Sequence, residues 1–235
     1  MENAFDDSAG LGTPGSLQFA DSCRNADSRS WGYRLGKRVF DIAFAGCACA
    51  IGLIPGAIMA IVIAIDTKGA PIYMQERAGR LGRPIRILKF RTMVVDADNV
   101  GKYLSEGQLE EWRRERKVTN DPRITKLGKV LRRISLDELP QFFNVLVGQL
   151  SVIGPRAITY DELDNYAPEE QVELLSVPQG VTGAWQSGPR NLAIFENGLR
   201  QQVELAYVRS ASFKVDARVF VKTFGVMFGK EKTGR

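Results

Sequence analysis

Two adjacent acids, Asp137 and Glu138, stand in the segment Ser135-Leu-Asp-Glu-Leu-Pro-Gln141, shortly before a proline. Proline has no N–H to donate and fits best in a first helical turn, so the acids are predicted at a helix N-terminus. The helix dipole there favours their ionised forms. A structural alternative is a capping box, in which Ser135 caps the helix and Glu138 reaches back to it. Both interpretations stay open at this point.

Cations accompany the acid pair along the chain. Arg132 precedes it, and Lys89, Arg91 and Arg156 lie in the short motifs Lys-Phe-Arg-Thr-Met and Gly-Pro-Arg. Arginine binds phosphate in a bidentate manner, and a carboxylate pair needs nearby positive charge before it can approach a phosphate anion. Each cation taken alone is more often a surface charge. Together with the acids and a divalent metal, they predict a phosphoryl-transfer site.

Composition excludes several other chemistries. The chain of 235 residues contains no histidine, which removes histidine bases, histidine metal sites and Ser-His-Asp triads. Its three cysteines predict neither a disulfide framework nor a zinc site, so a reducing compartment is expected. The net charge is +5 although residues 1–30 are acidic, so the body of the chain is basic. A basic body suits an anionic partner, such as nucleic acid, phospholipid or a phosphorylated substrate.

The elements that must position these residues are mainly helical, with a small β element. Residues 71–77 and 85–91 suit short strands and are separated by a turn rich in Gly and Pro, which predicts a hairpin. The charge-dense residues 105–117 predict a solvated helix. Asn120-Asp-Pro122 predicts the cap of the following helix.

Two further helices are predicted towards the C-terminus. One begins at Ser135 and ends near Gly148, with apolar residues at helical spacing. The other covers Phe213 to Phe228, where apolar and basic residues mix. This last helix suits either an anionic membrane face or ordinary packing on the domain.

One apolar segment is a membrane candidate, because residues 42–65 carry no charge. As a helix of about 36 Å it is long enough to cross a bilayer core of about 30 Å. Pro55, with glycines on both sides, favours a break in this helix, and basic residues flank both ends, whereas a spanning helix normally has them on the cytoplasmic side. A re-entrant helix is therefore predicted, and a spanning helix and a buried core helix are the alternatives.

Five spaced motifs resemble those of the bacterial sugar transferases, or monotopic phosphoglycosyl transferases. The motifs are Lys-Phe-Arg-Thr-Met (89–93), Asp-Pro-Arg-Ile-Thr (121–125), Ser-Leu-Asp-Glu-Leu-Pro-Gln (135–141), Asn-Val-Leu (144–146) and Ser-Val-Ile-Gly-Pro-Arg (151–156). The resemblance extends from about Lys37 to Thr223 and keeps the family order. It looks closest to the members that start exopolysaccharide repeat units.

The resemblance implies transfer of a sugar-1-phosphate from a UDP-sugar to polyprenyl (undecaprenyl) phosphate, with release of UMP. Carried over by position, it makes Asp137 the nucleophile that forms an aspartyl-phosphosugar, and Glu138 a ligand of Mg²⁺. The phosphate-binding cations that it implies are Arg132 and Arg156, with Lys89 and Arg91 as lesser members. Aspartate is ionised at neutral pH, so it can attack phosphorus without a base in a chain that lacks histidine.

The predicted architecture is that of a mainly α monotopic membrane protein with a small β element and an N-terminal re-entrant helix. Residues 1–30 are predicted to be a disordered tail, and residues 31–70 a basic flank and a re-entrant helix broken at Pro55. Residues 71–235 form the predicted sugar transferase domain, on the cytoplasmic face of the inner membrane. Family members usually have Ser-Pro at the break, where this chain has Ile54-Pro55.

Two rival functions belong to other classes of protein. A catalytically silent membrane scaffold of the same fold is opposed by the intact pair Asp137 and Glu138. A nucleic-acid binder would explain the basic body, but the apolar segment and the lack of a basic stripe interleaved with aromatics oppose it. The expected partners are therefore a UDP-sugar, polyprenyl phosphate and membrane lipids, with no nucleic acid. A homo-oligomer is compatible with the sequence. The sequence does not indicate which sugar is transferred.

Overall fold

The computed structural model describes residues 10–115, 118–188 and 193–228, and over these the chain is mostly helical, as predicted, with two small two-stranded sheets, of which only the first was predicted. The helices are α1 (Leu17–Ala26), α2 (Trp31–Thr67), α3 (Val100–Tyr103), α4 (Glu106–Glu115), α5 (Lys126–Arg133), α6 (Gln141–Leu146), α7 (Tyr160–Leu163), α8 (Pro168–Ser176), α9 (Leu199–Ser210) and α10 (Phe213–Phe228). The strands are β1 (Ile72–Ala78), β2 (Pro84–Phe90), β3 (Ser151–Ile153) and β4 (Gly180–Thr182).

Strands β1 and β2 form the predicted hairpin. They pair in antiparallel register, with Tyr73 opposite Lys89 and Arg77 opposite Ile85. Because alternate residues of a strand share a face, Arg77 and Lys89 lie on the same face of the hairpin as the buried Ile87. The hairpin thus directs two long cationic side chains towards the interior of the domain.

The prediction of a disordered N-terminal tail is wrong for residues 10–30. This stretch contains α1, which packs against α8 and the turn between β1 and β2, with Cys23 fully buried. The buried carboxylate of Asp27 forms an ion pair with Arg80 at 3.0 Å. The polar composition concealed a short apolar face whose partners are distant in sequence. Residues 1–9 lie outside the described residues.

Helix α2 runs without interruption from Trp31 to Thr67 with Pro55 inside it, so the predicted break at this residue is not observed. A proline in a helix interior removes one hydrogen bond and crowds the preceding turn, but the remaining bonds of a long apolar helix can keep it continuous. Among the described helices, α2 alone is long and apolar enough to cross a membrane, with a mean hydropathy of 2.6 in its most apolar window.

The first half of α2 is held on the domain by polar contacts. Lys37 Nζ lies 2.6 Å from Asp216 of α10, and both side chains are buried. Asp41 accepts hydrogen bonds from the Ser151 hydroxyl at 3.0 Å and from the Val152 N–H at 2.9 Å. These contacts tie α2 to both α10 and β3.

The middle and second half of α2 also lie on the domain. A Cβ placed on Gly52 would lie 3.1 Å from the side chain of Leu139, the residue that follows the acid pair. Farther along, Ile63 is fully buried in a cluster with Phe90 of β2 and Leu131 of α5. One face of α2 therefore follows the domain along most of the helix.

The opposite face of α2 is exposed and apolar. It carries Val39, Phe40, Ile42, Ile51, Leu53, Ile54, Ile58, Ile61, Val62 and Ile65. Only 6% of the most apolar window is buried. The alternative of a buried core helix is therefore wrong.

Two local predictions have different outcomes. The hypothesis of a helix over residues 105–117 is confirmed by α4 for the described residues. The cap predicted at Asn120-Asp-Pro122 is wrong, because α5 begins only after Thr125, whose hydroxyl accepts the Gly128 N–H at 2.9 Å. The Asp121 carboxylate is instead bound by Arg123 at 2.6 Å. Asn120 and Thr125 are both of residue types that cap helices, and in the folded chain Thr125 holds the cap position.

Candidate active site

The acid pair lies on its own short turn between α5 and α6. Leu136–Glu138 form a 3-10 helix, and Pro140 occupies the cap position of α6. The single helix predicted from Ser135 to near Gly148 is thus two elements, this 3-10 turn and α6. Ser135 has a left-handed backbone with φ of 57°, and its side chain makes no capping hydrogen bond, so the capping-box alternative is wrong. Such a conformation costs a non-glycine residue about 1 kcal/mol or more and is often found at functional sites.

Lys89 meets this turn from the hairpin. Its Nζ lies 3.2 Å from Oε1 of Glu138, and both side chains are largely buried. Burial lowers the pKa of the Lys89 ammonium, while the charge of Glu138 opposes this shift. The structure therefore holds a cation against one member of the acid pair.

The carboxyl of Asp137 has a raised pKa. Burial is the largest cause, because it disfavours the ionised form, and the neighbouring Glu138 charge adds to it. The charges of Lys89 and Arg132 act in the opposite direction. Asp137 is thus a partly desolvated carboxylate whose ionised form is opposed by burial and by Glu138 and favoured by two cations.

Arg132 is fixed by the close approach of α5 to the end of the hairpin. A Cβ on Gly128 would lie 2.0 Å from the carbonyl oxygen of Thr92, so only glycine allows this approach. The Arg132 Nε then donates to the Thr92 hydroxyl at 2.8 Å. Burial lowers the pKa of Arg132, and the charge of Asp137 is the largest factor that opposes this shift.

Arg156 is placed by the parallel pairing of β3 with β4. A Cβ on Gly180 would lie 2.1 Å from the Gly154 nitrogen, so the two strands approach closely only because both positions are glycine. The Arg156 N–H donates to Oε1 of the buried Glu204 at 3.2 Å. The guanidinium lies 5.4 Å from the ring centroid of Trp185. Backbone pairing and a ring contact thus orient this cation.

A narrow cleft joins these elements, with a cavity volume of about 10 Å³, room for about one water molecule. Its walls include three of the sequence-predicted residues, Lys89, Glu138 and Arg156. Asp137 and Arg132 lie beside it and interact electrostatically with each other.

Arg91 is the sequence-predicted cation that the structure does not bring to the cleft. Its Nε donates to the Ala70 carbonyl at 2.7 Å, and its guanidinium lies 5.7 Å from the Tyr73 ring.

Sequence reasoning missed three further residues of the cleft wall: Arg77, Gln141 and Gln186. A signal for Arg77 was present, because the register of a hairpin whose strands alternate places it on the same face as Lys89. Gln141 stands within the acid-pair motif but was not assigned a role. Gln186 follows β4 on a loop, where neither spacing nor periodicity indicates the direction of a side chain.

The residues of the site suit a magnesium ion only together with a bound phosphate. Among the described residues there is no group of three or more Asp, Glu, Cys or His side chains that could hold a metal. Mg²⁺, however, is commonly bound by one or two carboxylates together with substrate phosphates. The adjacent Asp137 and Glu138 offer a donor set of that kind, so the residues fit a metal that a bound phosphate helps to hold.

The described residues thus combine an apolar surface helix with a carboxylate pair and converging cations. The chain belongs to the bacterial sugar transferase family, whose model matches residues 32–230. It is 37% identical over 201 residues to a UDP-galactose-lipid carrier transferase of Erwinia amylovora, which covers 84% of this chain and 41% of that protein. It is 36% identical over 203 residues to an undecaprenyl-phosphate galactose phosphotransferase of Salmonella typhimurium, which covers 84% of this chain and 41% of that one.

A shorter relative matches over most of its length. The exopolysaccharide production protein ExoY of Rhizobium meliloti is 36% identical over 192 residues, which is 80% of this chain and 84% of ExoY. By contrast, the chain spans about two fifths of the Erwinia and Salmonella proteins. The resemblance read from the five motifs is thereby confirmed at the level of the family.

Proposed function

We propose that the chain transfers a sugar-1-phosphate from a UDP-sugar to polyprenyl phosphate through an aspartyl-phosphosugar, and so initiates exopolysaccharide synthesis. The observation that carries the proposal is the acid pair Asp137 and Glu138 beside Lys89, at a cleft that Arg156 also lines. A desolvated carboxylate among fixed cations suits attack on a phosphate anion, because the cations offset the repulsion between the two negative groups. The names of the Salmonella and Rhizobium relatives support the same reaction class.

The reaction would proceed in two displacements. A carboxylate oxygen of Asp137 attacks the phosphorus that carries the sugar, the bond from this phosphorus to the UMP oxygen breaks, and UMP leaves. A phosphate oxygen of polyprenyl phosphate then attacks the same phosphorus, and the carboxylate leaves. The product is a polyprenyl diphosphate sugar, and Asp137 is restored. Neither step needs a proton transfer, in agreement with a chain that has no histidine.

The cations have separate parts in this proposal. Lys89 and Arg156 line the cleft and would bind the donor diphosphate. Arg132 lies beside Asp137 and favours its ionised form, which is the reactive one. Glu138 would hold Mg²⁺ together with the donor phosphates. When bound, the ion would neutralise charge that develops on the leaving UMP.

Membrane attachment through α2 belongs to the same proposal. Its exposed apolar face suits lipid, and the acceptor is itself a lipid phosphate. Both halves of α2 contact the domain that carries the cleft, at Lys37 and at Ile63. Contacts of both halves with the domain oppose a spanning orientation, and the proposed re-entry requires a bend at Pro55 when the helix enters lipid, because α2 is continuous in the structure. We place the domain on the cytoplasmic face of the inner membrane, because residues 77–91 are too basic to translocate readily.

Helix α10 would lie in the same membrane face. Its inner side is packed on the domain through Asp216 and Val219, while Phe213, Val221 and Phe224 are exposed. Exposed Lys214, Arg218 and Lys222 form an adjacent row at helical spacing. Apolar and basic rows side by side suit an anionic bilayer surface, where the cations reach the headgroups.

A release assay tests the proposed function. The full chain in nanodiscs is mixed with polyprenyl phosphate, Mg²⁺ and each of a panel of UDP-sugars, and UMP is measured. We expect UMP release with at least one donor, and none from Asp137→Asn. The matched control is Asp164→Asn, which changes an exposed acid outside the cleft and should keep full activity. No release with any donor would favour the silent scaffold. Binding of nucleic acid by such an inactive chain would favour the nucleic-acid binder.

A further inference from the structure

A third cation lines the cleft, and no sequence motif assigned it a role. Arg77, near the end of β1, lies in the wall with Lys89 and Arg156 and is 7% exposed. Its two terminal nitrogens donate to Glu162 and to Gln75, each at 2.7 Å. Its Nε is buried and makes no hydrogen bond with any described residue. A buried guanidinium with an unused donor at a cleft wall is ready for an acceptor from a ligand.

The cations of the cleft oppose one another when no anion is bound. Burial lowers the pKa of Arg77 to about 10, and the charge of Arg156 is the next cause of the decrease. Burial also lowers the pKa of Lys89, and the charges of Arg156 and Arg77 lower it further. Glu138 is the one carboxylate in the described lining. A ligand with several anionic oxygens would relieve this repulsion.

A second unused donor points to the same kind of ligand. Gln141, the first residue of α6, is 4% exposed and lines the cleft. Its Nε2 is buried and has no partner among the described residues. An unpaired buried donor destabilises the fold, and a bound acceptor would remove this cost. Unused donors of β1 and of α6 thus lie buried in the wall of the cleft.

Glu162 holds Arg77 in place. Its carboxylate accepts from Arg77 at 2.7 Å and lies 3.4 Å from Arg200 of α9. It also accepts the Thr159 N–H at 3.0 Å, which completes the capping box of α7. Burial alone would raise the pKa of Glu162, but the charges of Arg77 and Arg200 hold it at about 2. Glu162 is therefore a fixed anion that orients Arg77 from behind the cleft.

We propose that Arg77 is a further phosphate-binding residue that contacts the diphosphate of the donor, and that Glu162 is its positioning residue. The ligand class is a nucleoside diphosphate sugar, so the inference rests on the proposed function. The guanidinium would donate to phosphate oxygens that Lys89 and Arg156 also contact. Glu162 would contact no substrate and would act through Arg77 alone.

Steady-state kinetics of the full chain in nanodiscs test both roles. We expect Arg77→Gln to raise the donor KM at least about tenfold, the loss of one charged hydrogen bond, with the KM for polyprenyl phosphate unchanged. Arg77→Lys should have an intermediate effect. Glu162→Gln keeps the acceptor for the α7 cap but loses the charge, so it should raise the donor KM by a smaller factor.

The matched control is Arg209→Gln, which removes an exposed ion pair with Glu173 outside the cleft and should change neither KM. A purely structural role of Arg77 would lower the melting temperature and the fraction of active protein in the variants but leave the donor KM at the wild-type value. That result in Arg77→Gln and Arg77→Lys would overturn the proposal.

Binding of inorganic pyrophosphate by calorimetry separates this inference from the proposed function. The wild-type chain should bind pyrophosphate, and Arg77→Gln should bind it at least about tenfold more weakly. A wild-type chain that releases UMP from no UDP-sugar would refute the proposed function, yet the two pyrophosphate affinities would still decide the role of Arg77. Equal affinities, or no binding by the wild type, would overturn the inference.

Discussion

The ammonium nitrogen of Lys89 lies 3.2 Å from Oε1 of Glu138, and this contact joins β2 to the turn that carries the acid pair. The same cation lowers the pKa of Asp137, against the raising effect of burial. Hairpin and turn are far apart in sequence, so the pKa of Asp137 depends on how the domain packs them together.

The first prediction concerns the nucleophile. Asp137→Asn should give no turnover and no phosphosugar adduct, because an amide cannot form an acyl phosphate. Intact-protein mass spectrometry without acceptor measures the adduct. Glu138→Gln should keep some adduct but need more Mg²⁺. An Asp137→Asn variant that still forms the adduct would show that another residue is the nucleophile.

The second prediction concerns pH. The acid limb of the kcat/KM profile should lie above the ordinary aspartate range, because the carboxylate of Asp137 must be ionised and its pKa is raised. Lys89→Gln removes a charge that lowers this pKa, so the limb should move to higher pH. Arg91→Gln is the control: its guanidinium contacts the Ala70 carbonyl, and the limb should not move. An unmoved limb in Lys89→Gln would contradict the electrostatic coupling.

The third prediction concerns topology. Cysteines at positions 30 and 68, in a chain without Cys47 and Cys49, should be labelled from the same side of sealed inverted vesicles, because both ends of α2 lie beside the domain. Both positions are exposed. Labelling of position 30 from the periplasmic side only would establish a spanning helix. Pro55→Ala should increase opposite-side labelling if the proline favours re-entry.

The fourth prediction concerns stability. The buried carboxyl of Glu204 has a pKa raised by burial from 4.5 to about 7. The folded state therefore binds this proton more tightly than the unfolded state, and stability decreases as pH rises from about 4.5 to 7. Glu204→Gln avoids the loss, so its free energy of unfolding should exceed that of the wild type by up to about 3 kcal/mol above pH 7, with little advantage below pH 4.5.

Glu162→Gln should show the opposite dependence in the same denaturation series. Its pKa is lowered from 4.5 to about 2, so the carboxylate stabilises the fold above pH 4.5 and this contribution is lost as pH falls towards 2. The cost of Glu162→Gln should therefore be greatest above pH 4.5. Parallel pH dependence of the two variants would contradict the assigned environments.

Local patterns predicted the features whose causes are local. Short runs suited to strands and a turn of Gly and Pro were sufficient for the β1 and β2 hairpin. The packing of α1 could not be predicted, because Asp27 finds its partner Arg80 on a distant turn. The inward direction of Arg77 could be predicted only from the register of the hairpin. The position of Arg91 away from the cleft follows from the hydrogen bond of its guanidinium to the Ala70 carbonyl, which the sequence does not indicate. Contacts between distant segments decided each of these.

The close approach of Gly52 to Leu139 has a mechanical consequence. Helix α2 meets the residue that follows the acid pair at a glycine, so a displacement of the helix would reach Asp137 and Glu138 over a very short path. With α2 in the bilayer, as proposed, the hydrophobic thickness and lateral pressure of the lipid would act on this turn. Lipid composition would then affect the proposed reaction separately from the concentration of either substrate.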